Sequence, residues 1–249
     1  MTQHPGKTLP PLYITAAAPC PYLPDRMEKK VFTHLLGPDA VSLNDTLSSA
    51  GFRRSQTIAY RPACDHCNAC VSVRIKVADF EPGRTFRRVL KTNEDLEREV
   101  LPPATTREQF SLLRRYLDGR HGDGGMADMT IMDYAAMVEE TTVDTFLVAY
   151  RGFSASPQHK GALTAVALTD RLQDGLSMVY SFFDVEEARR SLGTFMILDH
   201  VRMAREQNLS YVYLGYWVMG CKKMEYKVKF TPLEALTPDG WATLTRAPT

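Results

Sequence analysis

Apolar and polar residues alternate most regularly in the segment 71–77. Its odd-numbered positions are Val or Ile, and Ser72, Arg74 and Lys76 lie between them. This period of two predicts a β-strand with one buried face. Comparable apolar runs predict five further strands, at 52–61, 143–150, 161–170, 175–183 and 210–217.

A period near 3.6 residues predicts helices in the second half of the chain. The segment from Ser191 to about Gln207 carries an apolar face. That face consists of Leu192, Phe195, Met196, Val201 and Ala204. Residues 106–118 and 131–140 show the same spacing and predict two more helices. The glycine-rich segment 121–125 between them is predicted to be a loop.

The N-terminal part has different signals. Residues 1–22 contain five prolines, which predicts an extended arm. Pro24 and Asp25 are typical of a helix start and Gly37 of a helix stop, so we predict a helix between them. A second short helix is expected at 39–50.

The order of these elements indicates the fold class. Two helices, three strands, a helix and a further strand favour an α+β domain with a mostly antiparallel sheet. This order matches the acetyltransferase-like fold known as GNAT, and such a match does not fix a function. We expect two domains. Residues 1–84 would form a smaller N-terminal cysteine-knuckle domain, and residues 85–249 a GNAT-like acyltransferase domain.

Composition and charge narrow the class of protein. The chain has 249 residues, 44% of them hydrophobic, and a formal net charge of +1, so wholesale disorder is not expected. Residues 51–91 hold nine Arg or Lys against three acidic residues, whereas residues 92–144 hold five Arg against twelve acidic residues. This contrast predicts a polarised surface. No apolar run approaches the roughly 18 residues of a membrane span, and the N-terminus has no signal pattern. We therefore expect a cytoplasmic protein with no membrane partner.

Four of the five cysteines lie in the first 70 residues. Cys64, Cys67 and Cys70 form a C-x2-C-x2-C motif, and Cys20 is the obvious fourth member. Closely spaced thiolates can converge on one ion, and four of them suit zinc or an iron–sulfur cluster. His66 is a reserve ligand. The alternative is a set of reduced thiols without metal. Cys221 lies far away in sequence and is expected to be a packed thiol.

Longer strings surround this motif. Residues 51–62 read GFRRSQTIAYRP, and 86–89 read FRRV. Residues 211–217 read YVYLGYW, and 221–227 read CKKMEYK. Together these strings resemble the arginyl-tRNA–protein transferase family, and most closely its short bacterial branch. The resemblance extends from Pro19 to about Trp241.

The resemblance implies a tRNA-dependent aminoacyltransferase. Members of the family join an amino acid, esterified to tRNA, to the α-amine of a protein that begins with Asp or Glu. The product is then degraded. Eukaryotic members transfer Arg and the bacterial branch transfers Leu, and residue chemistry does not separate the two here. Charged tRNA, most naturally Leu-tRNA, and proteins with N-terminal Asp or Glu are the expected partners. No nucleotide cofactor is expected, because aminolysis of an ester is exergonic and the chain lacks a phosphate-binding G-x4-G-K-S/T loop.

Two other functions stay open. A CoA-dependent N-acetyltransferase would need small residues at a helix start to admit pyrophosphate. This chain has Phe195 at the last such position of Arg190–Phe195, which disfavours acetyl-CoA. A zinc-ribbon RNA-binding protein would use the basic block at 51–91. The well-patterned second half of the chain argues against that function.

Aminolysis of an ester needs a modest base, a donor to the oxyanion, cations for tRNA phosphates and a cation for the acidic substrate. The catalytic candidates are Asp184, Tyr216 and Tyr226. The tRNA-binding candidates are Lys222, Lys223 and Lys227, and the substrate-binding candidates are Arg53, Arg54, Arg61 and Arg74. Each candidate also has an ordinary role open to it: a cap for Asp184, half-buried strand positions for the tyrosines, and solvated positions for the cations. Adjacent strand residues face opposite ways, so only one of Arg53 and Arg54 is expected to face the substrate.

Overall fold

The computed structural model describes residues 10–120, 126–153 and 161–244. The predicted loop at 121–125 and the first nine residues of the predicted arm lie outside the described residues. The first seven strands are β1 (Tyr13–Ile14), β2 (Ala18–Pro19), β3 (Met27–Glu28), β4 (Lys30–His34), β5 (Arg53–Ser55), β6 (Ile58–Pro62) and β7 (Cys70–Lys76). The others are β8 (Leu96–Leu101), β9 (Thr145–Gly152), β10 (Leu163–Arg171), β11 (Gly175–Phe183), β12 (Tyr211–Val218), β13 (Leu233–Thr237) and β14 (Gly240–Thr243). The α-helices are α1 (Ala40–Ser49), α2 (Arg84–Thr92), α3 (Arg107–Arg120), α4 (Ile131–Glu139) and α5 (Leu192–Glu206), and 3-10 helices lie at Ala188–Arg190 and Lys222–Lys229.

An eight-stranded sheet forms the centre of the fold. Its strand order is β14-β13-β7-β12-β11-β10-β9-β8. Every neighbouring pair is antiparallel except β11 and β12, which run parallel. The structure therefore confirms an α+β fold with a mostly antiparallel sheet. Strand β12 is parallel to β11 because α5 returns the chain to the same end of the sheet.

Helices cover both faces of this sheet. Along β9, Val148 and Tyr150 pack into a core with α5, whereas Leu147 and Ala149 pack into a second core with α3 and α4. This alternation follows the strand period of two. Because both faces are buried, β9 and β10 are almost continuously apolar in sequence.

The prediction of a helix between Pro24 and Gly37 is wrong. Residues Lys30–His34 form β4, which pairs antiparallel with β6 in a four-stranded sheet of order β1-β4-β6-β5. Val31, Phe32 and Thr33 favour a strand, and pairing along the whole of β6 outweighs the helix-start signal. The predicted strand at 52–61 is a hairpin instead, with β5 and β6 joined by a turn in which Gln56 has φ +51°.

The remaining predicted elements are confirmed within a few residues at each end. They are α1, α3, α4, α5, β7 and β9–β12. The sequence pattern did not predict α2, β8, β13, β14 or either of the two 3-10 helices. Helix α2 has nine residues, so its apolar period extends over little more than two turns.

Strand β7 belongs to the large sheet, between β13 and β12. The expected boundary after residue 84 therefore leaves β7 in the N-terminal segment and its neighbours in the C-terminal segment. No helix among the described residues is long and apolar enough to cross a bilayer.

Candidate active site

The large sheet opens between its two parallel strands. Strands β11 and β12 pair only from Gly175–Tyr211 to Ser177–Tyr213. In the described part of the chain no further pair joins them, because β11 continues along β10 and β12 continues along β7. We call the space between residues 178–183 and 214–218 the wedge. Backbone groups that face it need partners from elsewhere.

Arg53, the first residue of β5, supplies partners on the β11 side. Its Nη2 donates hydrogen bonds to the carbonyls of Val179 at 2.8 Å and Met178 at 3.3 Å. On the β12 side the guanidinium lies against Gly215, where a Cβ atom would stand 2.2 Å from Arg53 Nη1. Gly215 also has φ +70°, which favours glycine. Only a glycine therefore lets the arginine enter the wedge.

Lys227 supplies partners on the β12 side. It lies in the 3-10 helix Lys222–Lys229, and its Nζ donates to the carbonyls of Leu214 at 2.8 Å and Tyr216 at 2.5 Å. The residue is 3% exposed. Burial, and then the charge of Arg53, lower the pKa of Lys227 to about 7. This buried amine can therefore gain or lose a proton near neutral pH.

Three tyrosines lie around these two cations. The Tyr216 ring lies 5.9 Å from the Arg53 guanidinium, and its hydroxyl is 3.0 Å from the carbonyls of Gly51 and Tyr60. Burial raises the pKa of Tyr216 far above its ordinary value and that of Tyr22 to about 12. The pKa of Tyr226 is also raised by burial, and the charge of Arg53 opposes this rise. All three are therefore neutral phenols, and the Tyr216 hydroxyl is taken up by backbone contacts.

Asp184 lies just beyond the end of β11. Its Oδ1 accepts a hydrogen bond from the amide of Glu186 at 3.0 Å, and its Oδ2 is 3.7 Å from Arg115. These contacts are those of a turn-capping residue, which was the alternative role for Asp184. Of the predicted catalytic trio, the structure brings Tyr216 and Tyr226 near Arg53.

The four predicted substrate-binding arginines lie in four different environments. Arg54 faces away from Arg53, as strand alternation requires, and its Nε and Nη2 bind Asp170 at 2.6 and 2.7 Å, with both side chains 1% exposed. The guanidinium of Arg74 lies 3.5 Å from the Tyr211 ring centroid and hydrogen-bonds Glu234. Arg61 is exposed and donates to the carbonyl of Ala50. Arg53 is the one of the four whose guanidinium occupies the wedge.

The three predicted tRNA-binding lysines also differ. Lys222 and Lys223 are exposed, whereas the ammonium of Lys227 is held inside the fold by backbone carbonyls. Only Lys222 and Lys223 therefore present a charge to solvent. Two surface recesses lie away from the wedge, one of about 510 Å³ beside the cysteine knuckle and one of about 360 Å³ between α2 and α5.

The four N-terminal cysteines are neighbours. Burial, and then the charges of Cys20, Cys64 and Cys67, raise the pKa of the Cys70 thiol to about 11. No group of three or more His, Cys, Asp or Glu side chains in the described ranges has the spacing needed to hold a metal ion. A metal at this knuckle stays a prediction. Cys221 is buried against Tyr216 and Val218, as expected of a packed thiol.

The sequence reasoning missed the role of Gly215 and the burial of Lys227. Glycine inside the apolar run 210–217 was the available signal, since a strand glycine often marks a bulge or a close backbone approach. The structure has both features, because the β12–β7 register shifts between Tyr213 and Gly215. For Lys227 no local signal exists, since neighbouring lysines of the same helix are exposed.

Comparisons with known proteins agree along nearly the whole chain. The family model "Arginine-tRNA-protein transferase, N terminus" matches residues 18–88, and "Arginine-tRNA-protein transferase, C terminus" matches residues 108–237. An aspartate/glutamate leucyltransferase of Parvibaculum lavamentivorans is 61% identical over 241 residues, which are 97% of this chain and 98% of that protein. One of Xanthobacter autotrophicus is 59% identical, with 97% and 98% covered.

Among solved structures, a glucosamine N-acetyltransferase region of a fungal multi-domain enzyme matches with a TM-score of 0.45 and 11% identity. The match covers 84% of this chain and 22% of that one. This similarity is too low to carry a conclusion.

Proposed function

The chain belongs to the arginine-tRNA-protein transferase family, and from this premise we propose that it transfers leucine from Leu-tRNA to the N-terminal Asp or Glu of proteins. The observation that carries the proposal is the identity of about 60% to aspartate/glutamate leucyltransferases over 97% of the chain. The added leucine marks the acceptor for N-end-rule degradation in the cytoplasm. The sheet is compatible with an acetyltransferase-like topology, because its parallel neighbours β11 and β12 pair over only three residues and then diverge.

The reaction exchanges one acyl bond for another. The α-amine of the acceptor attacks the ester carbonyl of the aminoacyl-tRNA, an amide bond forms, and the ribose–oxygen bond to the carbonyl breaks. The α-ammonium group loses one proton to become the attacking amine and a second proton as the amide forms, so that the amide keeps one N–H. The ribose oxygen takes up one proton and leaves as a hydroxyl group. Neither oxidation nor nucleotide hydrolysis is needed. The protein must therefore position two substrates, hold an acidic side chain and move a proton.

Lys227 fits the proton-transfer role. As a neutral amine it has two N–H donors and one lone pair. Both donors have fixed partners in the carbonyls of Leu214 and Tyr216, so the lone pair is left free to accept a proton. The pKa of about 7 lies just below that of an ordinary α-ammonium group, near 8. Transfer of a proton from the acceptor amine to Lys227 is therefore nearly balanced in energy.

Arg53 fits the acidic-substrate role. No carboxylate in the described part of the chain lies within ion-pair distance of Arg53, although most other partly buried arginines have one. The guanidinium of Arg53 thus has no ion-pair partner in this part of the chain, so the wedge can accept an anionic group. A planar guanidinium binds a carboxylate bidentately and distinguishes Asp from Asn by charge.

We propose further that the cysteine knuckle holds zinc or an iron–sulfur cluster through Cys20, Cys64, Cys67 and Cys70. The C-x2-C-x2-C spacing of Cys64, Cys67 and Cys70 supports this proposal, because thiolates are the ligands that both groups prefer. The group would supply structural stability to the N-terminal segment, since such metals couple binding to folding. No step of the transfer is assigned to it.

A transfer assay tests the function. The purified protein is combined with Leu-tRNA or Arg-tRNA and with reporter peptides that begin with Asp, Glu, Asn or Lys. We expect leucine on the Asp and Glu peptides, loss of activity after ribonuclease treatment, and no effect of CoA. Transfer of an acetyl group from acetyl-CoA, with no transfer from either tRNA, would contradict the proposal.

A further inference from the structure

Helix α2 carries a row of cations on its exposed side. The row consists of Arg84, Arg87, Arg88 and Lys91, all of them exposed. Their spacing of i, i+3, i+4 and i+7 places them on one helix face over about 10 Å. The opposite face carries Phe86, Val89 and Leu90, which pack against the main core. The helix is therefore fixed to the body of the protein and presents only positive charge to solvent.

These charges are not compensated locally. Helix α2 contains no acidic residue, and none of its four cations has a carboxylate within ion-pair distance in residues 10–120, 126–153 and 161–244. Like charges three and four residues apart destabilise a helix by a few tenths of a kcal/mol each. Arg84 in the first turn also opposes the helix dipole. An arrangement that destabilises its own helix is expected where a negatively charged partner binds.

A chain of contacts links the end of helix α2 to the candidate active site. Asn93, which follows α2, donates to the carbonyl of Arg190 at 2.8 Å and accepts from Arg190 Nε at 3.0 Å. Arg190 precedes α5, and Gly193 in the first turn of α5 lies against the Phe183 ring. Phe183 is the last residue of β11, at the mouth of the wedge. Helix α2 and the wedge are thus connected through the start of α5.

We propose that the basic face of α2 binds consecutive phosphates of the tRNA acceptor arm while the aminoacylated 3′ end enters the wedge. This inference rests on the proposed function. A nucleic acid fits better than an acidic protein because a row of four cations over about 10 Å of a rigid helix matches a regularly charged backbone. The acidic group of the protein substrate has its own cation in Arg53. Lys222 and Lys223, which are exposed on the 3-10 helix that carries Lys227, would extend the same contact.

The test is the salt dependence of binding to uncharged tRNA. We compare wild type with Arg87→Gln/Arg88→Gln, and with the control Arg107→Gln/Arg171→Gln, which removes two exposed charges outside α2 and outside the 3-10 helix Lys222–Lys229. Each lost phosphate contact lowers the slope of log Kd against log salt by about 0.7–0.9. The α2 variant should therefore lose about 1.4–1.8 from the slope and bind roughly tenfold more weakly at physiological salt. The control should change by less than about 0.5.

Kinetics and a charge-conserving variant separate this role from a structural one. In Arg87→Gln/Arg88→Gln, the KM for Leu-tRNA should rise while kcat at saturating tRNA and the KM for the acceptor peptide stay unchanged. Arg87→Lys/Arg88→Lys should keep the wild-type slope. Thermal melting should show both variants folded, because neither residue is buried.

An unchanged slope in Arg87→Gln/Arg88→Gln overturns the inference. A higher KM for the acidic peptide with an unchanged KM for Leu-tRNA also overturns it, since the face would then bind the acceptor protein. These failures leave wild-type transfer intact. Failure of the proposed function shows instead as a wild type that transfers no amino acid, and the slope of tRNA binding still decides the role of α2.

Discussion

Replacement of Lys227 by Met tests the buried base directly. Lys227 is 3% exposed, and its pKa falls from 10.5 to about 7 on folding. At about 1.4 kcal/mol per pKa unit, this difference corresponds to at most about 5 kcal/mol of unfolding free energy lost near neutral pH. The Met variant escapes that loss. It leaves two backbone carbonyls unpaired instead, each worth about 1–3 kcal/mol. Its net stability change at pH 7 should therefore be small.

The pH dependence of the unfolding free energy is the sharper test, because its direction follows from the lowered pKa of Lys227. Because the pKa of Lys227 is lower in the folded than in the unfolded state, the unfolded chain binds more protons between about pH 7 and 10.5. The unfolding free energy of wild type therefore rises with pH in this window, and the penalty of the buried lysine is full below about pH 7. Relative to Lys227→Met, wild type should gain about 2 kcal/mol from pH 7 to 9. Urea unfolding at several pH values measures this gain, and Lys229→Met is the exposed control.

Activity gives the second measurement. A general base contributes about 10²–10⁴ in rate, so Lys227→Met should lose at least a hundredfold in kcat while binding tRNA normally. The wild-type kcat should fall about tenfold per pH unit below 7, because only neutral Lys227 accepts a proton. A Met variant with more than a tenth of wild-type kcat, or with the same pH dependence of stability as wild type, would refute the reasoning.

Three further predictions concern the rest of the site. Arg54→Met should lower the unfolding free energy by about 3–5 kcal/mol, because it leaves Asp170 charged and buried. Chemical denaturation measures this loss, and the preference for Asp over Asn peptides should not change. Gly215→Ala should displace Arg53, since the new Cβ would lie 2.2 Å from its guanidinium. Steady-state assays should then show at least a thirtyfold rise in KM for Asp peptides and little change in KM for tRNA. If this variant keeps the wild-type KM values, Arg53 does not bind the carboxylate. Cys67→Ser should lower both metal content and melting temperature of anaerobically purified protein, and a metal-free, fully stable wild type would contradict the knuckle site.

The sequence by itself determined the elements that have a strong period. Alternation over 71–77 and the apolar face of 191–207 correspond to β7 and α5, because side-chain direction repeats with the backbone geometry of each element. Strand alternation likewise separated Arg53 from Arg54. The long strings around the cysteines and at 211–227 indicated the family, and they include Arg53, Gly215 and Lys227 of the wedge.

Tertiary structure decided what local pattern does not encode. Lys30–His34 became a strand through pairing with β6, although the residues before it are typical of a helix start. Lys222 and Lys227 are chemically identical side chains on one short helix. Lys227 alone of the two is a buried amine, because it binds backbone carbonyls that are left unpaired where β11 and β12 diverge. Burial, and with it the pKa, depends on which distant strands surround a side chain. A sequence window of a few residues does not contain that information.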